Sequence, residues 1–371
     1  MNKSRTNAAL IHKLIIAAVV MAFGALLVLA VMSGVNGGGL AALFSSGEKS
    51  AFPYVFEGQS ATQLLFAGKG AELLSDGGVA MLDKNARELF SCKIDYTDIT
   101  AAAADGRILI ANRADGRYFL HNKKGVIYDG KLRRPITLAA LGKRTAALAS
   151  QSSSGEAALD VLDKDGGELF SWTSEQERIA ALALSADGRY AAAALLSIDE
   201  GEIFNRVIVF DVRSGKLKGE TELEPGAVLR LCFTKKKLLY VLTETKLYCL
   251  NTSCSKASSC AEFLAGSALR CAFSDGGRAA LLLKAEDNTL TLKLFGENGA
   301  LAWEKLCTEL SALAAADKYT AVLQGGELIV YDKKGKKKAS FTAPVGVIKQ
   351  LLLADGALYV LSEKSVEQFT F

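Results

Sequence analysis

A unit of about forty residues recurs eight times between residue 50 and the C-terminus. The recurring phrase is two apolar runs split by a turn, a third apolar run that in six of the eight units ends in Asp or Asn, and then a glycine turn. The third run reads VAMLD (79–83), YFLHN (118–122), LDVLD (159–163), VIVFD (207–211), LYCLN (247–251), LTLKLFG (290–296), LIVYD (328–332) and SVEQFTF (365–371). Successive ends lie 39, 41, 48, 40, 45 and 36 residues apart, with roughly 38 in the last interval. Short strands of even spacing, four to a unit, are the pattern of sheets stacked radially about an axis. The fold class read from this is all-β: an eight-bladed β-propeller, with seven blades as the runner-up because the first and fifth units are the weakest.

The second runs are small and apolar: RILIAN (107–112), TAALAS (145–150), RYAAAALLS (189–197), LLYVL (238–242), RAALLLK (278–284), YTAVL (319–323) and ALYVL (357–361). Alanine suits strands at which neighbouring sheets approach closely. Five Asp-Gly turns, at 75–78, 104–106, 186–188, 274–277 and 354–356, are placed between the innermost and second strands. That dipeptide supplies the positive-φ positions of tight hairpins. The last unit stops after its third strand, and a spare strand, PYVFEG (53–58), stands ahead of the first. As the outermost strand of the last blade it would latch the ring and leave no open edge.

Residues 14–32 form nineteen residues without a charge, about 28 Å as a helix, close to the thickness of a bilayer core. Lys3, Arg5 and Lys13 precede them, and the next charge is Glu48. The domain reading is a cytoplasmic tail (1–13), a transmembrane helix (14–32), a flexible Gly/Ser-rich linker (33–50) and the propeller (51–371). The positive-inside rule places the propeller outside the cell, at a bacterial cell membrane. A cleaved signal peptide is the rival; its apolar core is normally shorter and ends at a small-residue site, which Val31-Met32-Ser33 does not resemble.

The turn after the third strand resembles the quinoprotein repeat, in LDKNARELF (82–90), LDKDGGELF (162–170), FDVRSGKLKG (210–219) and LFGENGALAW (294–303). Only Trp303 falls on that repeat's Trp; Phe90 and Phe170 are aromatic substitutes. The S-x-D-G-R pattern of 185–189 is similar to that of WD-repeat propellers, without a Trp-Asp pair. The whole resembles an uncharacterised group of single-span bacterial membrane proteins with an exported propeller, a resemblance that implies fold and location but no activity.

Charge and composition narrow the function classes. Net charge is +4, from 44 basic and 40 acidic side chains, which gives no support for a nucleic-acid partner. There are two histidines, His12 and His121, so a His-based catalytic set is not expected; His121 is read as a polar residue beside a turn. Seven cysteines without a CxxC spacing argue against a zinc ribbon. Cys249 and Cys260 can face each other across one hairpin, but reduced, buried thiols are the favoured reading. Trp172 and Trp303 are assigned to packing between blades rather than to a quinone floor, and no cofactor, catalytic or metal residue is expected.

The candidate binding loop is SIDEGEIFNR (197–206), which accounts for the 48-residue interval and joins the second and third strands of the fourth blade. Asp199, Glu200, Glu202, Asn205 and Arg206 are its site residues. The oxygen donors there suit Ca²⁺, although the spacing matches no Ca²⁺ loop and a solvated loop is favoured. SQSSSGE (150–156) is a second long loop on the same rim. The lysine runs 235–237 and 333–338 sit at hairpin turns, either touching anionic lipid or wall polymer or simply keeping the turns solvated. The leading function is a non-enzymatic scaffold binding an envelope protein or polymer. The alternative is an exported enzyme of quinoprotein, lyase or glycosidase type, which needs paired carboxylates at the channel mouth.

Overall fold

The computed structural model describes residues 52–371, apart from 57–60, 67, 69, 76 and 355. The transmembrane, tail and linker assignments at 1–50 lie outside the described residues. Every regular element described is a β-strand, and none is a helix long and apolar enough to cross a membrane.

Eight antiparallel four-stranded sheets form, each in the order first–second–third–fourth. Blades 1–7 occupy residues 61–93, 99–131, 136–174, 178–223, 228–262, 268–307 and 312–342. Blade 8 takes three strands from 348–370, and its fourth is Tyr54–Val55 from the other end of the chain, paired as Tyr54↔Val366 and Val55↔Ser365. The count is eight, not seven. Four of the five Asp-Gly turns join first to second strands as expected; the segment 75–78 instead joins the second strand Ala71–Ser75 to the third, Gly78–Leu82. An Asp-Gly pair specifies a hairpin without saying which one.

Alternation along each strand sends side chains into the gaps on both faces of a blade, so the core is divided rather than central. Eight apolar clusters form, one at each of the eight blade interfaces, including blade 8 against blade 1. Ala147, Ala149 and Ala191–Ala194 are completely buried there, which is why small residues dominate the second strands. A larger side chain would wedge the sheets apart.

The Asp at the end of the third strand has a local cause. Oδ1 of Asp83 accepts from the N–H groups of Asn85 and Arg87 at 2.8 and 2.9 Å, and Asp163 and Asp332 repeat the pattern two and four residues on. A short carboxylate closes the turn by satisfying two backbone donors. These backbone bonds lower the carboxyl pKa of Asp163 and Asp332. A depressed folded-state pKa contributes stability above the unfolded value of about 3.9, lost as pH falls through the folded value. Thermal unfolding followed from pH 5 downward is therefore expected to show a falling Tm that flattens in a D163N/D332N variant. An unchanged pH slope would show that the turns do not couple to folding.

The aromatic after that turn is the other repeat signature. Phe90, Tyr128, Phe170 and Trp303 sit on fourth strands beside a β-bulge, each opposite a third-strand residue. Tyr128, Phe170 and Trp303 cover Gly166, Gly215 and Gly335 of the next blade's turn, where an added Cβ would lie 2.9, 3.1 and 2.9 Å from the aromatic side chain. Glycine there combines positive φ (89°, 65° and 78°) with room for the aromatic.

Candidate functional site: a channel between two unlike rims

First strands of neighbouring blades pack on one another around the axis and enclose a channel. The antiparallel order then divides the connections. Turns joining first to second and third to fourth strands lie on one rim, the turn rim. Turns joining second to third strands, and the links between blades, lie on the opposite, crossover rim.

A cavity of about 970 Å³ occupies the channel on the side of blades 6–8 and 1, with Gln63, Arg230, Cys271, Tyr319, Gln350 and Phe371 in its wall. The Gln350 side-chain amide accepts from Leu64 N and donates to Leu64 O, both at 2.8 Å, and so imitates one rung of a sheet across the seam between blades 8 and 1. At the turn-rim mouth, three blades are pinned together. Asp317 accepts from Gly276 N at 2.7 Å and is ion-paired with Lys235, whose own N–H donates to Gly276 O. Burial alone would raise the Asp317 carboxyl, but these bonds outweigh it and hold it below the ordinary range. Asp275 keeps surface open to the channel yet is closely hemmed by protein, so desolvation first, and then the Asp317 charge, raise its pKa. The acidic pair at this mouth therefore has one member fully engaged in joining blades and one facing the channel.

The segment 197–206 is ordered differently from a loop. The second and third strands of blade 4, Tyr190–Asp199 and Glu202–Asp211, are ten residues long, against six in most blades, and pair continuously to Asp199↔Glu202. Glu200 and Gly201, with φ of 48° and 87°, make the two-residue turn. The neighbouring strands stop at Leu196 and Asn205, so 197–204 stands past its sheet by about 10 Å, paired only with itself. Ile198 (68% exposed) and Phe204 (46%) are bare on it, and Glu200 and Glu202 are exposed. Asn205 and Arg206 belong to the base. Asn205 is buried with its amide donating to Gly226 O, and Arg206 bridges Glu177 (2.7 Å) and Glu220 (2.8 Å). The hydrogen bond to Glu177 is the largest influence raising the guanidinium pKa. The second long segment, 150–156, lies on the same rim, where Glu156 pairs with Arg134 at 2.6 Å.

His121 stands beside a turn, as its position suggests, but it is no surface residue. It is completely buried between blades 1 and 2, with Nε2 2.8 Å from Oε1 of equally buried Glu72 and its ring stacked on Phe90 at 4.6 Å. Cys249 and Cys260 do converge: both sulfurs press against the Gly299 turn, and all seven cysteines are free thiols. The hydrogen bond between them lowers the Cys249 thiol pKa and raises that of Cys260. Among the described residues no group of three or more His, Cys, Asp or Glu is placed to hold a metal ion.

The two rims carry opposite charge. Among the described residues, the turns of the turn rim hold eighteen Lys and Arg against eight Asp and Glu, whereas the connections of the crossover rim hold four against thirteen. A near-neutral total conceals this separation.

Eight four-stranded blades around a channel, latched by a strand from the far end of the chain, define an eight-bladed β-propeller. The chain belongs to the family described as a family of unknown function (DUF5711), whose model matches residues 55–371. Among curated proteins no sequence matches it. Similar solved structures share the fold at low identity. BamB from Moraxella catarrhalis has 15% identity and a TM-score of 0.55, covering 83% of this chain and 96% of its own. Sqt1 from Saccharomyces cerevisiae has 9% identity and a TM-score of 0.61, covering 86% and 98%. The C-terminal WD40 domain of Sif2 has 13% identity and a TM-score of 0.59, covering 84% and 97%.

Proposed function

We propose that this chain is a membrane-anchored, extracytoplasmic, non-enzymatic scaffold whose crossover rim holds a protein of the cell envelope. The observation that carries the reading is the blade-4 hairpin, which projects bare Ile198 and Phe204 beside exposed Glu200 and Glu202. Projecting apolar side chains on a rigid support suit recognition. The acidic character of this rim favours a partner presenting basic and apolar side chains. The propeller fold shared with the WD40 domain above is compatible with this role, and the apolar segment 14–32 supplies the anchor and the orientation.

Photo-crosslinking residues placed in cells at 198 and 204 are expected to capture one and the same protein, and the same residue at Leu301 on the turn rim is expected not to. Glu200→Lys with Glu202→Lys should reduce the yield several-fold, as like charges meet across the interface. No adduct from either hairpin position, or equal adducts from all three, would overturn the assignment.

A further inference from the structure

We propose that the turn rim lies against an anionic lipid bilayer, the same membrane that anchors the chain; this rests on the anchored reading above. The first argument is charge. Seventeen of the eighteen basic residues in these turns are exposed. Lys123, Lys124, Lys236, Lys237, Lys333 and Lys334 form no ion pair among the described residues. Clustered basic side chains of this kind are attracted to anionic headgroups within about a Debye length, about 8 Å at physiological salt.

The second argument is apolar and periodic. The fourth strand of five blades carries an exposed aliphatic side chain at its first or second position, just past the turn that joins it to the third strand: Leu89, Val126, Leu169, Leu217 and Leu301, 38–51% exposed. They repeat around the periphery of this rim, whose turns taken together are rich in Lys and Arg. Bare aliphatic side chains on a rim rich in cations suit the boundary between headgroups and acyl chains, where both kinds of group are satisfied.

The test uses the full chain in vesicles of neutral phosphatidylcholine, with and without about a third of phosphatidylglycerol, read by hydrogen exchange. Peptides covering 123–125, 235–237 and 333–338 should exchange about fivefold or more slowly with the anionic lipid, an effect removed by about 0.5 M salt and by a K333E/K334E/K336E variant. Peptides covering 200–201 and 285–289 on the crossover rim should not change. Equal exchange in both lipids overturns the proposal. So does slowing in neutral vesicles on adding a soluble poly(glycerol phosphate) with none from the lipid, which assigns the rim to a wall polymer. Release of the chain by alkaline carbonate would instead overturn the anchor, and retention without lipid-dependent protection would overturn the docking alone.

Discussion

Replacing Glu72 with Leu is expected to cost about 3–5 kcal/mol of stability, measured by denaturant unfolding, because it strands His121 in a site closed to water. Both side chains are completely buried, 2.8 Å apart, with Phe90 over the imidazole. Burying two ionisable groups is costly to begin with, so the pair is not a large net stabiliser; breaking it is what hurts. The double replacement Glu72→Leu with His121→Phe keeps the volume apolar and should recover most of the loss, to within about 1 kcal/mol of the parent. If the single and double variants were equally mild, or if their effects simply added, the two residues would not act as a unit. The site lies between blades 1 and 2 at their turn-rim end, on the opposite side from the blade-4 hairpin, so the double variant should also keep cross-linking from 198 and 204.

A comparable loss is expected from a single methyl group. Gly219 occupies the position taken by Phe170 or Trp303 in other blades, opposite Val209. Here the next blade fills the space with its own backbone: a Cβ on Gly219 would be driven into the carbonyl, C and Cα of Ser253. Main chain in a paired hairpin cannot swing aside as a side chain can. Gly219→Ala should therefore destabilise by about 3 kcal/mol, at the upper end of overpacking costs, and lower Tm by several degrees. Gly201→Ala, at the hairpin tip with no atom near its Cβ position, serves as the comparison; its φ of 87° makes it strained but not crowded. A Gly219→Ala protein as stable as the Gly201→Ala one would mean that blades 4 and 5 pack more loosely than drawn here.

These positions also mark where reading the residues succeeds and stops. Six of the eight third strands were legible because each ends in an Asp or Asn whose turn bonds are local, within four residues; those ending at Gly296 and Phe371 were found by spacing. Ring closure was legible because PYVFEG was left without a partner at one end and SVEQFTF at the other. The blade-4 hairpin was visible as extra length, but its form was not: Ile198, Ile203 and Phe204 flank a Glu-Gly turn, and that signal for paired strands was outweighed by the density of acidic residues. Asn205 and Arg206 looked like ligand donors because Gly226, Glu177 and Glu220 come from other segments. The burial of His121 was hidden for the same reason, since Glu72 lies forty-nine residues upstream in another blade. The polarity of the rims escapes any reading of net charge, because it appears only once antiparallel pairing sends alternate turns to opposite sides.

The seam between blades 8 and 1 orders events in time. Chain synthesis delivers Tyr54–Val55 before every other described strand and Ser365–Thr370 after all of them, yet the two must lie side by side. Seven sheets can assemble as they emerge, while the eighth waits for its final ribbon and the Gln350 bridge waits with it. Until that moment the circle is an open horseshoe with two unpaired margins, the form in which a newly made chain would be most exposed to proteases and in greatest need of an escort.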